Sequence, residues 1–121
     1  MTNAAQAYAR TAQTSANPRE IEAQALLKAA TKLQNAMANW DAHGPDFNAA
    51  LMFNRKLWSI LLSAVTSDEN PQTIEVRQNI ANIGTFVMSQ TMELQINPKR
   101  ELLKPLIDIN CNLAAGLSGR A

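Results

Sequence analysis

The sequence is poor in the residues that build disulfides, metal centres and active sites. Its 121 residues include one cysteine and one histidine. A single cysteine excludes a disulfide within the chain and is compatible with a reducing compartment. Cys111 and His43 lie far apart in sequence, no metal-ligand spacing surrounds either, and no glycine-rich phosphate loop occurs. We therefore interpret His43 as an exposed loop residue and Cys111 as a core or boundary residue, and expect no enzyme, no metal and no cofactor.

The chain also lacks an excess of either charge and lacks long apolar runs. Eleven Lys and Arg residues stand against ten Asp and Glu, and the net charge of +1 forms no basic stripe. Proteins that bind nucleic acid usually carry such a stripe, so we expect no direct nucleic-acid binding. The N-terminus shows no secretory signal, and every apolar run is far shorter than the ~20 residues that span a bilayer. These absences predict a soluble, cytoplasmic protein without membrane insertion.

What is present indicates one folded helical domain covering residues 1–121. Hydrophobic residues make up 46%, and there are only four glycines and five prolines. Asparagine is a good N-cap and proline suits the first helical position. Four X-Pro pairs each precede a helical pattern: Asn17-Pro18, Gly44-Pro45, Asn70-Pro71 and Asn97-Pro98. The sequence therefore predicts an all-α fold, a compact bundle of four main helices, with residues 1–16 as an N-terminal arm or short fifth helix.

The predicted helices cover residues 17–41, 46–66, 71–95 and a last segment opening at 97. Pro105 should impose a break or a fresh start inside the last segment. The predicted core-facing stripe of the fourth segment consists of Val76, Ile80, Ile83, Val87 and Leu94. Gly84 adjoins this stripe, and because a mid-helix glycine costs about 1 kcal/mol relative to alanine, it predicts a close approach by a neighbouring helix.

The central helix carries a polar residue in its apolar arc. Asn54 lies level with Trp58, and Asn110 repeats this arrangement in the last helix. A buried amide without a partner costs on the order of 1–3 kcal/mol, so each needs a hydrogen bond. In one interpretation Asn54 and Asn110 satisfy each other, or buried backbone groups, and form a structural polar core. In the other they line a groove and bind the backbone of a partner.

Several segments together resemble the FlaF family of flagellar regulators. They are Tyr8 with Asn17-Pro18-Arg19-Glu20, then Ala50-Leu51-Met52-Phe53-Asn54-Arg55-Lys56-Leu57-Trp58, the segment from Val76 to Val87, Leu106 to Asn110, and Asn112 to Leu117. The Asn-Arg-Lys-Leu-Trp and Ile-Asn…Ala-Gly-Leu blocks are the most specific of these. The segments occur in the family's order and cover most of the chain. Cys111 stands where the family pattern favours a more polar residue.

The resemblance implies a cytoplasmic regulator of flagellum biogenesis that promotes flagellin synthesis and secretion. The leading hypothesis is a chaperone-like factor that binds flagellin, and the residues expected to contact this partner are Arg55, Trp58, Arg77, Asn79 and Phe86. One alternative is a post-transcriptional regulator that acts through the partner FlbT or on flagellin mRNA without binding flagellin. Another is a structural subunit of the export apparatus. An apolar groove on a helical bundle would suit the amphipathic helical termini of flagellin.

Overall fold

The computed structural model describes residues 18–119 of the chain. These residues form four α-helices and one 3₁₀ turn: α1 (Pro18–Ala38), α2 (Pro45–Val65), α3 (Ile74–Ile96), the 3₁₀ turn (Arg100–Leu102) and α4 (Leu103–Leu117). The described part of the chain contains no β-strand, and the predicted all-α fold with four main helices is confirmed. The predicted N-terminal arm, residues 1–16, lies outside the described residues.

The predicted start of α2 is confirmed, and that of α3 needs correction. Pro45 begins α2 directly after the N-cap Gly44, as expected for a proline at the first helical position. The prediction at Asn70-Pro71 is wrong, because the Asn70 side chain accepts the N–H of Gln72 at 2.9 Å and closes a turn. The next helix, α3, begins three residues later, where the hydroxyl of Thr73 accepts the N–H of Val76 at 3.2 Å.

The last segment begins with a 3₁₀ turn rather than directly after Pro98. Its α-helix starts at Leu103, so Pro105 occupies the third position of α4. In the first helical turn the N–H groups have no intrahelical acceptor, and the missing N–H of a proline is tolerated there. The fresh start expected at Pro105 therefore lies just before it, at the junction of the 3₁₀ turn and α4.

The most extensive helix packing joins the first and last helices. The buried face of α1 is made largely of alanines: Ala23, Ala29, Ala30 and Ala36, with Leu26 and Leu33 between them. Such small side chains let two helix backbones approach closely. Arg100 Nε donates to the carbonyl oxygen of Met37 at 2.8 Å, which ties the start of the last segment to the end of α1. The fourth helix consequently runs back along the first.

The third helix packs closely against α2 at a glycine. A Cβ added at Gly84 would overlap Leu62 Cδ2 and lie 2.8 Å from Leu62 Cγ, so the predicted close approach is present. Of the predicted core-facing stripe of α3, Val87 and Leu94 are buried and Ile80 packs partly buried against the core, and Gly84 and Thr91 are buried as well. Val76 and Ile83 are 39% and 36% exposed, and their assignment to the core is wrong. The helix is rotated so that its glycine faces Leu62.

Gly84→Ala is expected to lower the free energy of unfolding by about 1 kcal/mol. The overpacking against Leu62 costs typically 1–3 kcal/mol, and the higher helix propensity of alanine returns up to about 1 kcal/mol. Urea unfolding followed by far-UV circular dichroism measures the change. In a protein that already carries Leu62→Ala, Gly84→Ala should leave the free energy of unfolding unchanged or raise it. Gly116→Ala is the matched control, because no atom lies within 4 Å of its added Cβ; this variant should gain stability, and equal losses at both glycines would contradict the packing argument.

Candidate functional site

A buried hydrogen-bonded triad joins α2 to α4. Trp58 Nε1 donates to Asn110 Oδ1 at 3.0 Å, and Asn110 Nδ2 donates to Asn54 Oδ1 at 2.7 Å. All three side chains are 0% exposed. The indole N–H is only a donor, so Asn110 must turn its oxygen to Trp58 and its amide N–H to Asn54. The two asparagines therefore bind each other inside the bundle, and neither lines an open groove.

The position of Trp58 bears directly on the expected partner contacts. Its ring lies inside the core, completely covered by the bundle. A partner cannot touch this side chain while the four helices remain packed, so its place in the fold is that of a core residue with a satisfied N–H.

Arg77 is turned toward the end of α2. Its Nε donates to the carbonyl oxygen of Val65 at 2.7 Å, and the side chain is half-buried. The Asn70 amide donates to the carbonyl oxygen of Ala64 at 3.0 Å, so two side chains form hydrogen bonds with carbonyls at the end of α2. A guanidinium at a helix C-terminus also interacts favourably with the helix dipole. Arg77 thus connects α3 to the end of α2.

Arg55 is exposed, but it lies apart from the other candidates. Helical spacing places it on the flank of α2 that also carries Met52 and Leu62. Both of these residues contact α3: Met52 through Gln95 Nε2, at 3.9 Å from its sulfur, and Leu62 through Gly84. Arg55 therefore borders the junction between α2 and α3.

Asn79 and Phe86 share an exposed stripe on α3 with two apolar residues. The spacing of Val76, Asn79, Ile83 and Phe86 is 3-4-3, which places all four on one side of the helix. We call these four residues the outer flank of α3. All four are exposed, and Phe86 is exposed to 46%. The structure thus brings two of the sequence-predicted contacts, Asn79 and Phe86, together with two residues that the sequence had assigned to the core.

The outer flank is turned away from α2. Gly84, Arg77 and Gln95 mark the side of α3 that meets α2, and helical rotation places Asn79 and Phe86 on the other side. From Gln78 to Met92 no residue carries a charge. Interfaces between proteins are depleted of charge at their centre and enriched in aromatic side chains. An uncharged run of sequence on an exposed helix was the signal that could have identified Ile83 as a surface residue.

Most of the large apolar side chains that are exposed in residues 18–119 belong to α3. They are Ile74, Val76, Ile83, Phe86, Met92 and Ile96 on this helix, against Ile21, Leu27 and Ile60 elsewhere. Single exposed hydrophobic residues are ordinary, whereas a contiguous group such as Val76, Ile83 and Phe86 on the outer flank indicates an interaction surface.

The histidine, cysteine and carboxylate side chains are dispersed over the described residues. Within residues 18–119, no group of three or more His, Cys, Asp or Glu residues is placed to hold a metal ion. Burial raises the pKa of the Glu22 carboxyl above its ordinary value, and the nearby Arg19 partly opposes this shift. His43 is exposed in the α1–α2 loop and Cys111 is half-buried. None of the helices described is long and apolar enough to cross a membrane.

Comparison with known proteins places the chain in one family. The family model for flagellar protein FlaF matches residues 4–117, which includes all four helices and the outer flank of α3. No curated protein and no solved structure matches the chain. With a match over nearly its whole length, the chain belongs to the FlaF family of flagellar proteins.

Proposed function

We propose that this chain is a non-catalytic, cytoplasmic regulator of flagellum biogenesis that binds flagellin as a chaperone-like factor and so promotes its synthesis and secretion. The family match supports a flagellar role. The observation that carries the binding proposal is the outer flank of α3, an uncharged stripe with Phe86 at 46% exposure and two apolar neighbours.

The chemistry of this stripe suits an amphipathic helix of the partner. Helices that bind helical surfaces insert side chains at intervals of three and four residues, which is also the spacing within the outer flank. Asn79 supplies one amide for hydrogen bonding amid apolar contacts from Ile83 and Phe86. Because none of the four residues of the outer flank is charged, a partner would cover this surface without desolvating a charged group of the flank.

Phe86→Asp is expected to weaken flagellin binding by at least about tenfold, because it introduces a charge into an apolar contact and removes an aromatic anchor. Isothermal titration calorimetry with purified flagellin measures the affinity. The matched control is Ile74→Asp, also on α3 and 79% exposed but about 120° around the helix from Phe86. Its affinity should remain within about twofold of the original protein, and circular dichroism should show that both variants keep their helices.

Two results would refute the proposal. One is the absence of flagellin binding by the original protein at micromolar concentrations. The other is unchanged affinity in Phe86→Asp. If the protein binds FlbT but not flagellin, regulation through that partner becomes the better account. The net charge of +1 provides little of the phosphate neutralisation on which direct mRNA binding would depend.

A further inference from the structure

A second, chemically different surface lies on the side of α2 that faces α1. A groove of about 170 Å³ is lined by Phe53, Lys56, Leu57 and Ile60, all on α2. We call it the lysine-rimmed groove. Ile60 is 58% exposed, and Phe53 and Leu57 are half-buried. The opposite flank of α2, with Met52 and Leu62, contacts α3. The groove therefore lies on a different flank of α2 from the junction with α3.

Two lysines of α1 reach the Phe53 ring, which lines this groove. Lys28 Nζ lies 5.6 Å and Lys32 Nζ lies 5.1 Å from the centre of the Phe53 ring. Both distances are within the range of cation–π attraction, which positions the two ammonium groups at one edge of the apolar surface. Lys56 stands on the groove itself. Three positive charges thus lie beside an apolar floor.

These charges are not neutralised by the described part of the chain. Among residues 18–119, no carboxylate forms an ion pair with Lys28, Lys32 or Lys56, although Asp46 shares a neighbouring depression with Lys32. Positive potential beside an apolar surface favours a partner with negative charge in the matching place. The groove therefore selects a partner by its charge as well as by its hydrophobicity.

The shape of the floor indicates a helical ligand. Phe53, Leu57 and Ile60 follow the i, i+4, i+7 spacing of a helix ridge, along which a second helix packs. Ile21 lies two turns before Lys28 on the same face of α1 and is 40% exposed, so that face of α1 carries apolar surface as well. An amphipathic helix lying along the ridge of α2 would place its own flanking residues near the lysines.

We propose that the lysine-rimmed groove binds an acidic amphipathic helix of a partner protein, one whose apolar stripe is bordered by glutamate or aspartate. This site is independent of the proposed flagellin surface, and both could be occupied at once because they lie on different sides of the bundle. The protein would then connect two partners, one recognised by uncharged apolar contact and one by apolar contact with charge complementarity.

The test uses the full chain and two synthetic helical peptides of about 18 residues. Both carry leucines at every third or fourth position, and the remaining positions are mainly glutamate in one and lysine in the other. The glutamate peptide should bind with micromolar affinity and shift the methyl resonances of Leu57 and Ile60. Its affinity should fall at least about tenfold when the salt concentration rises from about 0.05 to 0.5 M.

Variants locate the binding. Ile60→Asp should lower the affinity for the glutamate peptide at least about tenfold, since it places a negative charge on the groove floor opposite a negatively charged peptide. Phe86→Asp, the variant that tests flagellin binding, should leave the peptide affinity within about twofold. Ile60→Asp should likewise leave the affinity for flagellin unchanged. A wrong proposal about the groove can therefore be told apart from a wrong proposal about flagellin binding.

Four results would overturn the proposal. They are no binding of the glutamate peptide, equal or tighter binding of the lysine peptide, a dimer in analytical ultracentrifugation that Ile60→Asp dissociates, and nuclear Overhauser contacts between the Ile60 methyls and residues 1–17. The third result would make a second copy of the chain the occupant, and the fourth would make it the chain's own N-terminal segment.

Discussion

Asn110→Ala is expected to lower the free energy of unfolding by about 3–5 kcal/mol. The substitution removes both hydrogen bonds of the triad and leaves two buried groups, the Trp58 N–H and the Asn54 side chain, without the partner they have now. Each buried group without a partner costs about 1–3 kcal/mol, and the small cavity adds to this. Urea unfolding followed by circular dichroism gives the difference. A loss below about 1 kcal/mol would show that the triad contributes little.

Two comparisons make this prediction specific. Asn112→Ala removes an exposed asparagine two residues later in α4 and should change the stability by less than about 0.5 kcal/mol. Asn54→Ala should cost less than Asn110→Ala, because Asn54 makes one side-chain hydrogen bond where Asn110 makes two. The Asn54 Nδ2 is buried and has no hydrogen-bond partner in the described part of the chain, so removing this amide also removes an unsatisfied donor. The reverse order would contradict the direction of the hydrogen bonds.

Trp58→Ala is expected to cost about 3–5 kcal/mol, the range for truncating a large buried aromatic residue. The ring is 0% exposed and packs in the shared core of the helices. Trp58→Phe keeps most of the apolar area but leaves the Asn110 oxygen without its donor, so we expect a smaller loss of about 1–3 kcal/mol. Circular dichroism is the suitable probe, since these variants change the tryptophan fluorescence itself.

Trp40→Phe is the matched control for the indole. Trp40 is half-buried and forms a T-shaped pair with Phe47, with ring centroids 4.9 Å apart and an interplanar angle of 67°. A phenyl ring can preserve much of this contact, so the cost should stay below about 1 kcal/mol. The same variants separate stability from binding. If Trp58→Phe lost flagellin affinity while its unfolding curve remained unchanged, the indole would be a direct contact, in contradiction to its burial.

The sequence was sufficient for the fold class, the four helices and the pairing of two asparagines as one possible arrangement. These depend on strong local signals: proline next to a capping residue, and a polar amide within an apolar arc. The start of α3 was missed because Asn70 uses its side chain in the preceding turn and Thr73 takes over as the cap. Asn70 and Thr73 are both residues that can cap a helix. Asn70 instead binds the end of α2 and the turn after it, so Thr73 caps α3.

The larger error of the prediction was the rotation of α3, which decides which residues form the candidate site. Valine and isoleucine at helical spacing indicate a buried face, so Val76 and Ile83 were assigned to the core. The structure buries Gly84 and Thr91 instead, because the glycine admits Leu62 and the Thr91 hydroxyl donates to the carbonyl oxygen of Val87 at 2.7 Å. Hydrophobicity alone ranks these two residues below isoleucine. Only the shape of the neighbouring helix explains why they are inside.

Arg55 and Arg77 illustrate a different limit. Both were expected at a partner surface, Arg55 because an arginine near a tryptophan is typical of an interface anchor. A single sequence contains no information on which carbonyl a long side chain will reach, and Arg77 reaches that of Val65, at the end of α2. Arg55 has the exposure expected of a contact but borders the junction of α2 and α3, away from Asn79 and Phe86.

The pairing of α1 with α4 has a consequence for synthesis on the ribosome. The alanine face of α1 is made early, whereas the helix that covers it is the last of the four to be translated. Domains assemble as units once their parts have emerged, and contacts between distant segments form late. The nascent chain therefore cannot complete its core, or bury the indole of Trp58 beside Asn110, until α4 has left the exit tunnel. A chain arrested before α4 should remain a target for proteases even though three of its helices are already synthesised.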